Sequence, residues 1–151
     1  MSIEADLRRQ LTAAIKAKDL RTANVIRMIN TKVMERRTSA KFTGEVNDAL
    51  FVDVIAAYKK TLDKATAQFQ AAGERGAESA AELTWESEFC ARFLPKQMDD
   101  DQLRTVVRQV IADMNVTDPK MAGRVVGAIM KQHKGLVEAA RVKAMIAEEL
   151  Q

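Results

Sequence analysis

The segment Asp118-Pro119-Lys120-Met121-Ala122-Gly123-Arg124-Val125-Val126-Gly127-Ala128-Ile129-Met130-Lys131-Gln132-His133-Lys134-Gly135 has the marks of a complete helix. Asp118 is a capping residue, Pro119 occupies the favoured first position, and Gly135 is a stop signal. At about 100° per residue, Met121, Val125, Ala128 and Ile129 fall within one apolar stripe. Lys120, Arg124, Lys131 and Lys134 fall along one edge, with Gly123 and Gly127 beside them. An interior glycine weakens a helix by about 1 kcal/mol relative to alanine. Two in one short helix call for a reason. Either another helix packs closely on the bare backbone, or a large ligand such as an RNA backbone lies on it.

The flanking sequence reads as helix in both directions. After the segment, Val137 to about Leu150 places Ala139, Val142, Ile146 and Leu150 on one face. Before it, Asp99-Asp100-Asp101-Gln102 fits a capping box opening a helix to about Met114. Further back, Ser2 caps a helix to about Lys18, and Asp19 caps a second from Leu20 to about Arg37. Thr43 is a cap for a helix over 44–72, about 29 residues or roughly 43 Å. A fourth runs from Ala77 to about Phe93, ended by Pro95, which biases its predecessor out of the helical region. With 5% aromatic residues, two prolines and six glycines, the 151-residue chain reads as all-α. The expected arrangement is an elongated N-terminal helical domain, 1–95, and a small three-helix C-terminal domain, 99–151. Lys96 to Asp99 reads as a hinge between them.

Net charge is only +3, but it is unevenly placed. Arg21 to Lys41 holds six cations against the single acid Glu35, and Lys120 to Lys143 holds six against Glu138. Between them, Glu74 to Asp101 holds eight acids and three bases. Two basic segments around an acidic one suit an anionic partner better than the total does. The polar N-terminus and the lack of a long apolar run point to a cytoplasmic protein with no membrane role.

Catalytic chemistry finds little material. His133 is the only histidine and Cys90 the only cysteine, and no phosphate-binding or nucleophile-elbow glycine pattern is present. His133, in a last helical turn, reads as a favourable cation at the helix dipole. Cys90, beside Phe89 and Phe93, reads as a small buried hydrophobe. Asp99, Asp100 and Asp101 read as helix-start acids rather than metal ligands. No catalytic residue, metal or cofactor is expected.

Three stretches carry a resemblance: Val25-Ile26-Arg27-Met28-Ile29-Asn30, Phe93-Leu94-Pro95-Lys96-Gln97-Met98 and Met121 to Met130. In order and spacing they resemble the YqeY family, whose C-terminal part is shared with the tail of GatB, the B subunit of glutamine-dependent aminoacyl-tRNA amidotransferases. The resemblance implies an all-helical fold and a link to tRNA. It also implies a carbon–nitrogen ligase label without the machinery: a non-catalytic tRNA-binding protein, at most an accessory to amidotransferase or other translation-related proteins. The contact residues would be Lys120, Gly123, Arg124, Gly127, Lys131, Lys134, Arg141 and Lys143, with Arg27, Lys32, Arg36 and Arg37 as a second basic patch. One departure bears on this. Where the family commonly continues Arg-Ala-Asp-Gly after Lys-Gly, this chain has Leu136-Val137-Glu138-Ala139, with one cation fewer. The alternative is a helical protein–protein adaptor using Trp85, Phe42 and the long third helix.

Overall fold

The computed structural model describes residues 1–151 as seven α-helices and two short 3-10 turns, with no strand. The fold is all-α. The chain divides into two compact units, Met1–Leu94 and Pro95–Gln151, each with its own hydrophobic core.

In the first unit, α1 (Ile3–Lys16) starts where the Ser2 hydroxyl accepts the Ala5 N–H at 3.1 Å, with Glu4 and Asp6 at the positive end of the helix dipole. It ends two residues earlier than its apolar spacing predicts, because Lys18 turns to φ 57° and frees Asp19 to cap the next helix. Asp19 accepts from both the backbone and the hydroxyl of Thr22, at 3.1 and 2.6 Å. The second helix, α2 (Leu20–Thr38), buries Ala23, Val25, Ile26, Ile29 and Val33.

The third helix departs most from the sequence reading. It does not begin at Gly44 under a Thr43 cap; α3 is Asp48–Ala71, 24 residues or about 36 Å. Asn47 is the working cap, accepting the Leu50 N–H at 3.1 Å. Asp48 turns outward to accept the Ile3 N–H at 2.9 Å, tying the start of α3 to the start of α1. Ahead of the cap, Phe42 and Val46 pack on the core from an irregular segment. Starting at Gly44 would put a glycine in the first turn and lose those contacts.

A 3-10 turn, Gly73–Gly76, reverses the chain into α4 (Ala77–Ala91), and α3 with α4 forms the most extensive helix pair of the unit. The reversal brings the position of a Gly76 side chain to 2.0 Å from the Phe69 carbonyl oxygen. Only glycine fits there. Within the pair, Ser87 is buried and its hydroxyl donates to Asp63, which also pairs with Lys59 at 2.7 Å. The core joins Leu7, Ile26, Ile29, Phe51, Ile55 and Phe89 across all four helices.

In the second unit, α5 (Asp100–Asp113) carries the capping box in full. Asp99 accepts the Gln102 N–H at 2.8 Å and the Gln102 side chain accepts the Asp99 N–H at 3.1 Å. Part of the segment Lys96–Asp99 is bonded within the second unit. Met98 donates to the Leu136 carbonyl at 2.9 Å and Gln97 donates to the Gly135 carbonyl at 2.9 Å, so the loop after α6 holds it. The predicted sixth helix is in two parts: a 3-10 turn, Pro119–Met121, capped by Asp118, then α6 (Ala122–Gln132). The seventh, α7, is Ala139–Glu149. Val137 precedes it, buried in the core rather than helical. Glu138 stands at the cap without a side-chain bond, since its extra methylene carries the carboxylate past the N–H groups that an aspartate reaches.

The substitution Gly76→Ala tests the α3–α4 reversal. A methyl 2.0 Å from a carbonyl oxygen forces the backbone apart. We expect a loss of about 2 kcal/mol or more in denaturant unfolding, against a smaller change for Gly44→Ala.

Candidate nucleic-acid interface

The rotation of α6 is set by Val125 and Ile129, both fully buried against α5 and α7. With that stripe turned inward, Gly123 and Gly127 face outward and are exposed. A side chain built at either would meet nothing within 4 Å. Of the two explanations for these glycines, close packing against a neighbouring helix is therefore absent from this structure. What α6 presents is a bare stretch of helix backbone.

The cations around it are free. Lys120, Arg124, Lys131 and Lys134 are exposed and make no ion pair. They are not four residues of one helix, as the spacing predicts. Arg124 and Lys131 lie on α6 itself, about 20° apart and about 10 Å along the axis. Lys120 sits in the preceding 3-10 turn, and Lys134 lies beyond His133, which closes the helix. Gly127 falls between Arg124 and Lys131, so the smooth surface is flanked by a cation on each side.

Elsewhere in the unit the charges neutralise one another. Arg104 reaches Glu149 at 2.8 Å and Glu148 at 3.3 Å, and Arg108 reaches Glu149 at 3.0 Å. The hydrogen bonds from Arg108 and then Arg104 hold the Glu149 carboxyl below its ordinary range. These pairs clip α5 to α7 without using Arg124 or Lys131 of α6.

Arg141 has to leave the set of contact residues. Its guanidinium donates to the Met98 carbonyl at 3.1 Å and pairs with Asp100 at 2.5 Å. It holds Lys96–Asp99 against α7 rather than facing a ligand. Lys143 is exposed and unpaired. The second basic patch separates into two. Lys32 and Arg36 lie about 40° apart on α2, facing α3, whereas Arg27 and Arg37 each lie about 100° or more from that pair.

The residues weighed for other chemistry have structural places. His133 is the half-buried residue that caps the end of α6, its N–H bonded to the Ile129 carbonyl at 2.9 Å. Asp99 is a cap and Asp100 an ion-pair partner. No group of three His, Cys, Asp or Glu side chains is arranged to hold a metal. Cys90 is fully buried, and burial, with Glu86 nearby, pushes its thiol to about 12. Trp85 and Phe42 are half-buried in the first unit. Trp85 is stacked between Phe89 at 5.9 Å and the Arg21 guanidinium at 4.7 Å, which Glu82 holds in place.

Comparison with known proteins adds one finding. A sequence model of a family described as Yqey-like protein matches residues 4–150, essentially the whole chain. The chain belongs to the YqeY family. No curated protein matches it. In this YqeY-family chain the match spans both units. No helix is long and apolar enough to cross a membrane.

Gly127→Ala and Gly123→Ala should each raise the unfolding midpoint, by up to about 1 kcal/mol in stability, because the methyl has room and helix propensity improves. A helix face held to glycine by packing would lose stability instead. Cys90 should resist iodoacetamide in the native protein at pH 8 and react at once in denaturant, since alkylation needs an accessible thiolate.

Proposed function

We propose that this protein is a cytoplasmic, non-catalytic tRNA-binding protein that contacts the phosphate backbone through α6. The observation that carries the reading is the open face of Gly123 and Gly127 between unpaired Arg124 and Lys131. Phosphate contacts need cations that are not already paired, and a bulky, irregular backbone needs a surface without side chains in the way. Both conditions meet on α6. Lys120 and Lys134 extend the contact at its ends, and Lys143 adds a further free cation.

Contacts of this kind position an RNA without reading its sequence. A protein limited to them is suited to hold tRNA for other enzymes. The resemblance of the C-terminal part to the GatB tail points to glutamine-dependent aminoacyl-tRNA amidotransferase as the system it accompanies. The side chains described above supply no nucleophile or general base at this surface. The protein-adaptor reading loses its aromatic anchors, because Trp85 and Phe42 are used within the first unit.

Filter binding of tRNA to the full chain tests the proposal. We expect retention at low salt and a slope of about −3 in log affinity against log salt, as for roughly four phosphate contacts. Lys131→Glu should weaken binding roughly tenfold, removing one contact and adding a repulsion. Gly127→Leu should also weaken it while leaving the protein folded, because a side chain there has room but stands in the path of the ligand. Absence of tRNA retention at low salt would overturn the proposal. In a transamidation assay with glutamine and mischarged tRNA, the chain alone should form no amide.

A further inference from the structure

The groove between α2 and α3 lies in the first unit and plays no part in the α6 surface. Lys32 and Arg36 on α2 and Ser39 just past its end line one wall, and Val54, Tyr58 and Thr61 on α3 the other. Each trio follows helical spacing, so two continuous faces form its walls. The groove is open to solvent and offers about 370 Å³, a volume within the range of small-molecule sites.

Its polar groups sort by chemistry. Three are free to donate. Lys32 and Arg36 make no ion pair, and they stand one helical turn apart. The Tyr58 ring is buried, yet its hydroxyl bonds no protein group. No buried polar atom in the chain is left unsatisfied, so that hydroxyl reaches solvent, on a residue that lines the groove. Burial, with Glu86 and Cys90 nearby, raises Tyr58 to about 12, which keeps the hydroxyl protonated. The Lys32 ammonium lies 5.2 Å from the centre of the Tyr58 ring, an attraction that keeps the cation over the groove.

The remaining polar groups only accept. The Ser39 hydroxyl already donates to the Arg36 carbonyl at 3.0 Å, and the Thr61 hydroxyl to the Ala57 carbonyl at 3.2 Å. Each keeps lone pairs for a ligand. Glu35, which also lines the groove, adds a carboxylate. Three donors of two kinds, two of them charged, match the three terminal oxygens of a phosphate monoester better than the two of a carboxylate. Acceptors around them match hydroxyl groups on the body of the same ligand.

From this sorting we infer that the α2–α3 groove binds a small phosphate monoester with a hydroxylated body, such as a sugar phosphate. Lys32, Arg36 and Tyr58 take the phosphate, and Ser39, Thr61 and Glu35 take the hydroxyls. The inference does not depend on RNA binding by α6.

Calorimetric titration of the full chain with ribose 5-phosphate, inorganic phosphate and ribose tests it. Ribose 5-phosphate should bind saturably at one site, inorganic phosphate several-fold more weakly, and ribose not detectably. Lys32→Ala and Arg36→Ala should each weaken ribose 5-phosphate about tenfold, the loss of one charge-assisted hydrogen bond. Tyr58→Phe should weaken it several-fold with no change in the melting curve, because the hydroxyl has no protein partner. Lys131→Glu should leave it unchanged. No heat with any phosphate, or binding indifferent to Lys32→Ala and Arg36→Ala, would overturn the inference. Equal affinity for inorganic phosphate would remove the hydroxylated body. Loss of tRNA retention in Lys32→Ala, with no ribose 5-phosphate binding by the unaltered chain, would assign the cations to RNA instead.

Discussion

Burial of Val125 and Ile129 is the constraint on which the candidate interface depends. Both side chains are fully enclosed by α5 and α7. A helix of 11 residues is not stable alone in water, so α6 exists because this stripe has somewhere to go. Once the stripe is inward, rotation of α6 has no freedom left. Gly123, Gly127, Arg124 and Lys131 must then face outward together. A unit of this size has a small core, and its ion pairs and loop contacts matter correspondingly more. Arg104 and Arg108 on Glu149, and Arg141 on Asp100 and Met98, join segments far apart in sequence without using any cation of α6.

The first unit is organised differently. Its longest helix is turned back on itself at Gly76, where only a hydrogen fits above the Phe69 carbonyl. That reversal sets α4 against α3, encloses Phe89 and Cys90, and leaves one face of α3 to form a groove with α2. The two units thus handle charge in contrasting ways. On α6 the cations flank a surface without side chains, suited to a long backbone. Beside Tyr58 they line a groove between two helices, suited to a small group. The same residue types at helical spacing serve both, and the surrounding shape separates them.

Several features could be read locally because their causes are local. The caps at Ser2, Asp19, Asp99 and Asp118 involve partners within three residues, and each forms the bond that its residue type implies. The stop falls short of Gly135: α6 ends at Gln132 under a His133 cap, and the positive φ of 83° at Gly135 belongs to the turn that follows. The start of α3 was not legible in this way. Thr43 and Asn47 are both capping types, and the choice between them rests on Phe42 and Val46 packing on the core and on Asp48 reaching Ile3. Tyr58 reads as one more member of an apolar stripe. Nothing along the chain distinguishes a tyrosine whose hydroxyl is bonded from one whose hydroxyl is left without a protein partner.

By itself, then, the sequence determined the helical content, most caps, the family and the inward stripe of α6, since these follow from periodicity, backbone preference and residue order. Only the tertiary structure decided what the exposed groups face. It left Gly123 and Gly127 uncovered, withdrew Arg141 to an Asp100 that lies 41 residues away, and divided Lys32 and Arg36 from Arg27 and Arg37. The physical reason is that a helix's own pattern fixes which side is buried, while the partners of a polar or charged side chain come from whatever other segment the fold brings beside it.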